Sequence, residues 1–296
     1  MTEGSKFIHK QGDLFFMLEF LKAALYGIVQ GLTEFLPVSS SGHIAILNNS
    51  PLGLENLDNS LLFTLILHLG SLVAVFIIYF KDIKELFLCF IILIIKIFTG
   101  KFKYSRLSPG EKFVIFLFIA TLPLVVGALI DNQIEFLANS TKLVGAFLMI
   151  NAVILFVSDR IPGGNLTEKT ASPKNALFVG LCQLIAVVPG VSRSGSTITG
   201  GIFTGFDRQF AVKFSFIMSI PAILGASVFK IADFASSGDK VDGALILWCI
   251  VGFAFAFISG ILAIVFVNII SRRKNFTVFA IYCFIVGLLS LIFGPA

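Results

Sequence analysis

Charge is what this sequence has least of. Asp, Glu, Lys and Arg together supply 13% of its 296 residues, about half the share in a soluble globular domain. That scarcity excludes a water-facing surface of ordinary extent. With 57% apolar residues, 34 of them Phe, and a mean hydropathy of +0.98, the chain reads as a polytopic membrane protein. Its length allows one integral membrane domain over residues 1–296 rather than several. Cysteine is sparse too. Cys89, Cys182, Cys249 and Cys283 stand singly in apolar segments, which excludes the paired spacings of zinc or redox sites. The tail 1–13 is polar, and no small-residue cleavage site follows the apolar stretch behind it, so no signal peptide is expected. The net charge of +5 is better read loop by loop than as a nucleic-acid footprint, and no nucleic-acid partner is expected.

Long apolar runs fill the rest. A crossing needs about 20 apolar residues, and residues 61–80, 113–130, 143–159, 211–231, 243–268 and 275–294 meet that demand. Two further stretches, 14–49 and 175–207, are apolar but broken by polar, Gly- and Pro-containing centres. The segment 84–98, short and flanked by lysines, reads as an interfacial or half-inserted helix. Basic residues concentrate in 81–112, 160–174 and 271–274, whereas 131–142 and 232–242 carry mainly Asp and Glu. Positive loops stay on the cytoplasmic side. Followed from there, each broken stretch begins and ends on one side of the membrane, and the two enter from opposite faces. The expected fold is all-α, with six transmembrane helices plus two re-entrant helical hairpins.

The two broken stretches also resemble each other. "VSSSG" at 38–42 aligns without gaps on "VSRSG" at 191–195, and the same offset places Gln30 on Gln183. Shared polar residues are harder to assign to chance than shared apolar ones. They suggest an inverted-topology repeat of halves 13–145 and 146–296, with a site built from broken helices where the halves meet. Irregular backbone at membrane depth must be buried in protein or face water, so the two tips should line a cavity.

Their residues point to phosphate. Gln30 and Glu34 lie four apart on a helix that Pro37 ends. Ser39, Ser40 and Ser41 then offer caps for a second helix whose first N–H groups are free. Pro189 and Gly190 break the other stretch, and Ser192, Arg193, Ser194, Ser196 and Thr197 open another helix start. Two helix N-termini with an arginine between them form an anion trap. His43, one turn beyond Ser40, can exchange protons near neutral pH, which makes Ser40 a candidate nucleophile or the histidine an activator of water. Glu34 would hold a divalent cation against phosphate oxygens or orient His43, and Arg193 would neutralise the transferring phosphoryl group. Ser39 and Ser41 suit capping, and His68 reads as a hydrogen-bonded residue between helices.

"QGLTEFLPVSSSGH" at 30–43 and "PGVSRSGST" at 189–197 resemble the two motifs of the bacitracin-resistance type of undecaprenyl-pyrophosphate phosphatase. The likeness continues through "HLGSLVAV", "PAILGAS" and "FAIYCFIVG" over nearly the whole chain. The resemblance implies hydrolysis of a C55 isoprenyl pyrophosphate to its monophosphate and inorganic phosphate, recycling a lipid carrier for peptidoglycan synthesis. It implies a multi-pass protein of the bacterial cytoplasmic membrane with a cavity opening toward the periplasm, and dependence on a divalent cation, Mg2+ or Ca2+. It also implies Ser40 and His43 for phosphoryl chemistry, Glu34 for metal or hydrogen bonding with Gln30 beside it, and Ser39, Ser192, Arg193 and Thr197 around the pyrophosphate; Ser194, between them in the second tip, is a further candidate for binding it. Gln30 stands where some members carry Glu, which puts a two-carboxylate metal site in doubt. The expected partners are the isoprenyl pyrophosphate and membrane lipid; the oligomeric state, a homodimer among the options, stays open.

A transporter or anion channel is the rival class, because opposed re-entrant tips recur there; passage alone needs no Ser–His cluster. A type-2 phosphatidic acid phosphatase would need a further histidine with an acidic partner, and none follows His68.

Overall fold

The computed structural model describes residues 3–49, 61–129, 131–237, 241–273 and 275–295. Among them the architecture is all-helical, with one isolated bridge between Leu166 and Phe206. The helices are α1 (Glu3–Phe35), α2 (Ser40–Asn48), α3 (Leu61–Ile78), α4 (Phe80–Phe98), α5 (Pro109–Thr121), α6 (Leu124–Leu129), α7 (Asp131–Ala138), α8 (Thr141–Ser158), α9 (Pro173–Ile185), α10 (Arg193–Phe203), α11 (Arg208–Ser237), α12 (Gly243–Arg272) and α13 (Thr277–Phe293).

Five helical stretches are long and apolar enough to cross a membrane: 61–78, 109–129, 141–158, 208–236 and 243–272. The sixth expected span, 275–294, becomes the 17-residue α13, shorter than the other five. The span expected at 113–130 is two helices, because Pro123 has no N–H to continue the ladder. It also starts earlier than hydropathy suggests. Ser108 Oγ accepts from Glu111 N while the Glu111 carboxylate accepts from Ser108 N at 2.7 Å, a capping box with Pro109 in the first turn. Helix α1 is continuous for 33 residues and reaches back into the polar tail, longer than the arm expected from residue 14. Residues 50–60, which join the first broken stretch to the first expected span, lie outside the described residues.

The outward surfaces carry side chains that water does not tolerate in such numbers. Ile77, Phe118, Val153, Phe229, Ile250 and Ile281 are each at least half exposed, and continuous apolar surface of that kind is what lipid covers. This is a multi-pass membrane protein. Helix α4 buries only Leu93 and leaves Phe87, Leu88 and Ile95 outward.

Where helices must touch in lipid, small residues let them approach. Gly27 and Gly31 of α1 face α12 so closely that a Cβ on Gly31 would stand 2.2 Å from the Ala256 carbonyl oxygen, and one on Gly27 2.5 Å from that of Gly252. A phenylalanine cluster forms the other end of the core: Phe206 packs on Phe210 at 4.7 Å and on Phe214 at 5.6 Å, with Phe113 5.5 Å from Phe214. At its edge Arg208 donates to Asp159, whose second oxygen accepts from Thr277 N and Oγ1 at the start of α13.

Candidate active site at the meeting of two broken helices

Helix α1 ends at Phe35 because Pro37 cannot continue it. The last two turns carry Gln30 and Glu34 on one face, and Gln30 Nε2 donates to Glu34 Oε2 at 2.9 Å. The chain then turns through 36–39. Ser39 sits at φ +74°, a left-handed conformation that costs a non-glycine residue energy and that gathers at functional sites. Its hydroxyl accepts from Gly42 N at 3.2 Å and caps α2. The second break repeats the design with different residues: Gly190 takes the positive φ of +97°, and Ser192 Oγ caps α10 by accepting from Gly195 N at 3.1 Å.

The two tips meet. A Cβ added to Gly42 would lie 3.0 Å from Gly190 Cα, so the backbones touch where neither has a side chain. Asn151 of α8, fully buried, staples them: its Nδ2 donates to Pro37 O at 2.9 Å and its Oδ1 accepts from Ser192 N at 3.2 Å. Ser194 Oγ donates to Leu36 O at 3.1 Å. Arg193 reaches across and donates to Glu34, while Ser40 Oγ donates to the other Glu34 oxygen at 2.7 Å. One buried carboxylate thus gathers an amide, a hydroxyl and a guanidinium from both breaks. Such a charge is tolerated only because it is paired and fully hydrogen-bonded.

Of the residues expected to form the site, Gln30, Glu34, Ser40 and Arg193 are brought into one hydrogen-bonded group. Ser39 and Ser192 act as caps. Thr197 is buried; its hydroxyl donates to Arg193 O at 2.8 Å and contacts Ser215 Oγ at 2.6 Å. His43 does not pair with Ser40. Its Nδ1 bonds to Ser39 O and its Nε2 to the Tyr282 hydroxyl, both at 2.8 Å, with the two rings parallel and 5.5 Å apart. The carboxylate is the stronger, charge-assisted acceptor for the Ser40 hydroxyl, so the histidine one turn on finds other partners.

A cavity of about 270 Å³ opens beside Glu34, Ser40 and Arg193. Four polar residues in its wall received no functional reading from sequence: His68, Gln183, Ser227 and Lys230. Gln183 carries a buried Oε1 that has no partner among the described residues. Its match to Gln30 in the repeat was the signal that could have placed it here. Lys230, a lone cation in an apolar stretch, was the signal for its own role. Apart from Ser41, the remaining wall is carbon, with Leu65, Leu124, Val187 and Ile223 among it. The cavity therefore has a polar end and an oily flank. Among the described residues no three His, Cys, Asp or Glu side chains converge, so these residues by themselves build no complete metal cage.

The chain is similar to known proteins over most of its length. Residues 23–289 match the family model described as bacitracin resistance protein BacA. A protein of Methanobrevibacter smithii named undecaprenyl-diphosphatase is 42% identical over 275 residues, 92% of this chain and 96% of that one. One of the same name from Methanosphaera stadtmanae is 39% identical over 280 residues, covering 93% and 98%. Another, from Alkaliphilus metalliredigens, is 38% identical over 275 residues, covering 92% and 98%. Both polar breaks fall inside the matched region, and on this similarity the chain belongs to the BacA family.

Proposed function

We propose that this protein hydrolyses undecaprenyl pyrophosphate to undecaprenyl phosphate and inorganic phosphate, returning the lipid carrier to cell-wall synthesis and conferring bacitracin resistance. The observation that carries this reading is the Glu34–Arg193 pair, made across two helix breaks at the mouth of a half-polar, half-apolar cavity. The shared name of the relatives supports it.

The chemistry follows from the donors present. An arriving pyrophosphate competes with Glu34 for the Arg193 fork, which matches phosphate as well as carboxylate. The first turns of α2 and α10 add backbone N–H groups. Glu34, released from the guanidinium, is the base closest to the attacking oxygen, whether Ser40 Oγ itself or a water in its place. That oxygen bonds to the terminal phosphorus, its proton passes to Glu34, and the bridging P–O bond breaks toward the lipid monophosphate. If Ser40 attacks, water then hydrolyses the phosphoserine. Thr197 positions Arg193 through its carbonyl, and His43 anchors the strained Ser39 carbonyl. Ser192 and Ser194 hold the second tip in place. A divalent cation fits as a complex with the pyrophosphate, whose oxygens and waters would be most of its ligands; Glu34 and the Gln30 carbonyl would hold it, and it would neutralise phosphate charge.

In this reading α1–α2 and α9–α10 are re-entrant hairpins of an inverted repeat, and α3, α5–α6, α8, α11, α12 and α13 cross. Helix α4 lies at the cytoplasmic interface. The distribution of Lys and Arg supports an opening on the outer face of the cytoplasmic membrane. The test is phosphate release from undecaprenyl pyrophosphate by purified protein in detergent, with and without a chelator. Release that stops on chelation and returns with Mg2+ or Ca2+ is expected. Anion flux through liposomes without any hydrolysis would overturn the reading.

A further inference from the structure

The cavity beside Glu34 is lined by Ser40 and Ser41 of α2 but not by His43, whose ring turns instead to α13. His43 Nδ1 meets the Ser39 carbonyl at 2.8 Å. A carbonyl only accepts, so in the neutral ring Nδ1 carries the proton and Nε2 is a lone pair. The Tyr282 hydroxyl donates to that lone pair at 2.8 Å. The tyrosine thus selects the one neutral tautomer that can hold the carbonyl.

The held carbonyl is a strained one. Ser39 stands at φ +74°, and such a conformation persists only where its surroundings over-determine it. Ser39 O accepts twice from His43, from the ring and from the backbone N at 3.2 Å. It shares one rigid peptide plane with the N–H of Ser40, whose hydroxyl lies 2.7 Å from Glu34 Oε2. Helix α13 grips the same turn a second time, because Cys283 Sγ lies 3.9 Å from Pro37 O and accepts from Asn151 Nδ2 at 3.4 Å. The helix is a fixed wall for this purpose: a Cβ on Gly287 would stand 2.6 Å from Gly145 O of α8. Tyr282 itself is 44% exposed on the lipid-facing surface. A phenol there keeps its hydroxyl bonded inward, and the inward partner is His43.

We propose that Tyr282 is a positioning residue of the hydrolase: its O–H fixes the His43 tautomer, His43 fixes the Ser39 carbonyl, and the peptide so held aims Ser40 at Glu34. The inference rests on the hydrolase reading. Tyr282→Phe keeps the ring against His43 and removes only the donor. Its kcat on undecaprenyl pyrophosphate should fall about five- to tenfold, the effect of one hydrogen bond, with KM changed less than about twofold. If the tyrosine acts through the histidine, the loss is not additive: His43→Gln with Tyr282→Phe should be no slower than His43→Gln alone. An unchanged kcat in Tyr282→Phe, or losses that multiply in the double variant, would overturn the proposal.

A readout free of turnover accompanies it. The chain has three histidines, so 15N-histidine labelling in detergent gives three pairs of ring signals, assigned with His43→Gln and His68→Gln. In Tyr282→Phe the His43 Nε2 signal should move toward that of an imidazole nitrogen without a donor. His68, whose Nδ1 also faces a carbonyl, that of Thr64 at 2.8 Å, should not move and serves as the reference. His43 signals that stay in place would defeat the inference. A wild-type protein that hydrolyses no lipid pyrophosphate, yet shows the Nε2 shift in Tyr282→Phe, would defeat the hydrolase reading and spare the hydrogen-bond chain. Normal hydrolysis by Tyr282→Phe would defeat the positioning role alone.

Discussion

At the residue scale, one carboxylate organises the site. Glu34 is 7% exposed and holds Gln30, Ser40 and Arg193 at once, so each substitution around it has a separate signature. Glu34→Gln keeps the shape but removes both the base and the charge that Arg193 answers. A fall in kcat of about 10²–10⁴ is expected, read from initial rates of phosphate release. Arg193→Lys keeps a charge and loses the two-pronged grip; it should raise KM more than it lowers kcat, whereas Arg193→Ala should lose most turnover and destabilise the fold by leaving Glu34 buried and unpaired. Ser39 separates strain from chemistry. Glycine adopts φ +74° freely and gives up only a few tenths of a kcal/mol of capping. Ser39→Gly should therefore match or exceed the wild-type thermal midpoint, and Ser39→Ala should fall below it, having lost about 1 kcal/mol of capping. Full kcat/KM in Ser39→Gly would confine this serine to capping; a drop with stability intact would put its hydroxyl on the phosphate.

At the scale of elements, helix contacts rest on absent side chains. Gly31 has no room for a methyl against Ala256 and Ser259 of α12. Gly31→Val should cost about 1–3 kcal/mol or more by overpacking, visible as a lower midpoint or as loss of the monodisperse peak in detergent. Gly225 of α11 is the counterpart: nothing lies within 4 Å of its would-be Cβ. Gly225→Ala should be neutral or stabilising by about 0.5–1 kcal/mol. The same logic explains why the two breaks can touch. Gly42 and Gly190 bring backbone to backbone, and Asn151 satisfies the Pro37 carbonyl and the Ser192 N–H that the breaks set free.

At the scale of the whole molecule, the distribution of charge makes the topology testable. Cysteines placed singly at Ser105 and Asn139 in a cysteine-free background should differ in labelling by an impermeant maleimide on intact spheroplasts: Asn139→Cys labelled, Ser105→Cys labelled only after lysis. The reverse pattern would invert the proposed orientation and put the cavity's opening on the cytoplasmic side.

How much of this was legible beforehand follows from the range of each interaction. Helix identity was local. Apolar length, Pro37, Pro189–Gly190 and the serine caps act within a few residues, and they placed both breaks and the residues beside them. The early start of α5 was missed because hydropathy does not register a capping box, although Ser108, Pro109 and Glu111 spell one. Gly27 and Gly31 were readable as a small-residue spacing but not as the face that meets α12, since their partners lie more than 200 residues away.

Sequence alone determined that the chain belongs in lipid, where it breaks, and that a carboxylate, serines and an arginine stand at the breaks, because those features depend on neighbours along the backbone. Only the tertiary structure decided who bonds to whom. Ser40 turned to Glu34 rather than His43 because a charged acceptor outcompetes a neutral ring nitrogen. His43 went to Tyr282, 239 residues distant, and Lys230 and His68 reached the cavity wall by the packing of α3 and α11. Long-range choices among polar partners are settled by which groups burial leaves within reach, and no local pattern records that.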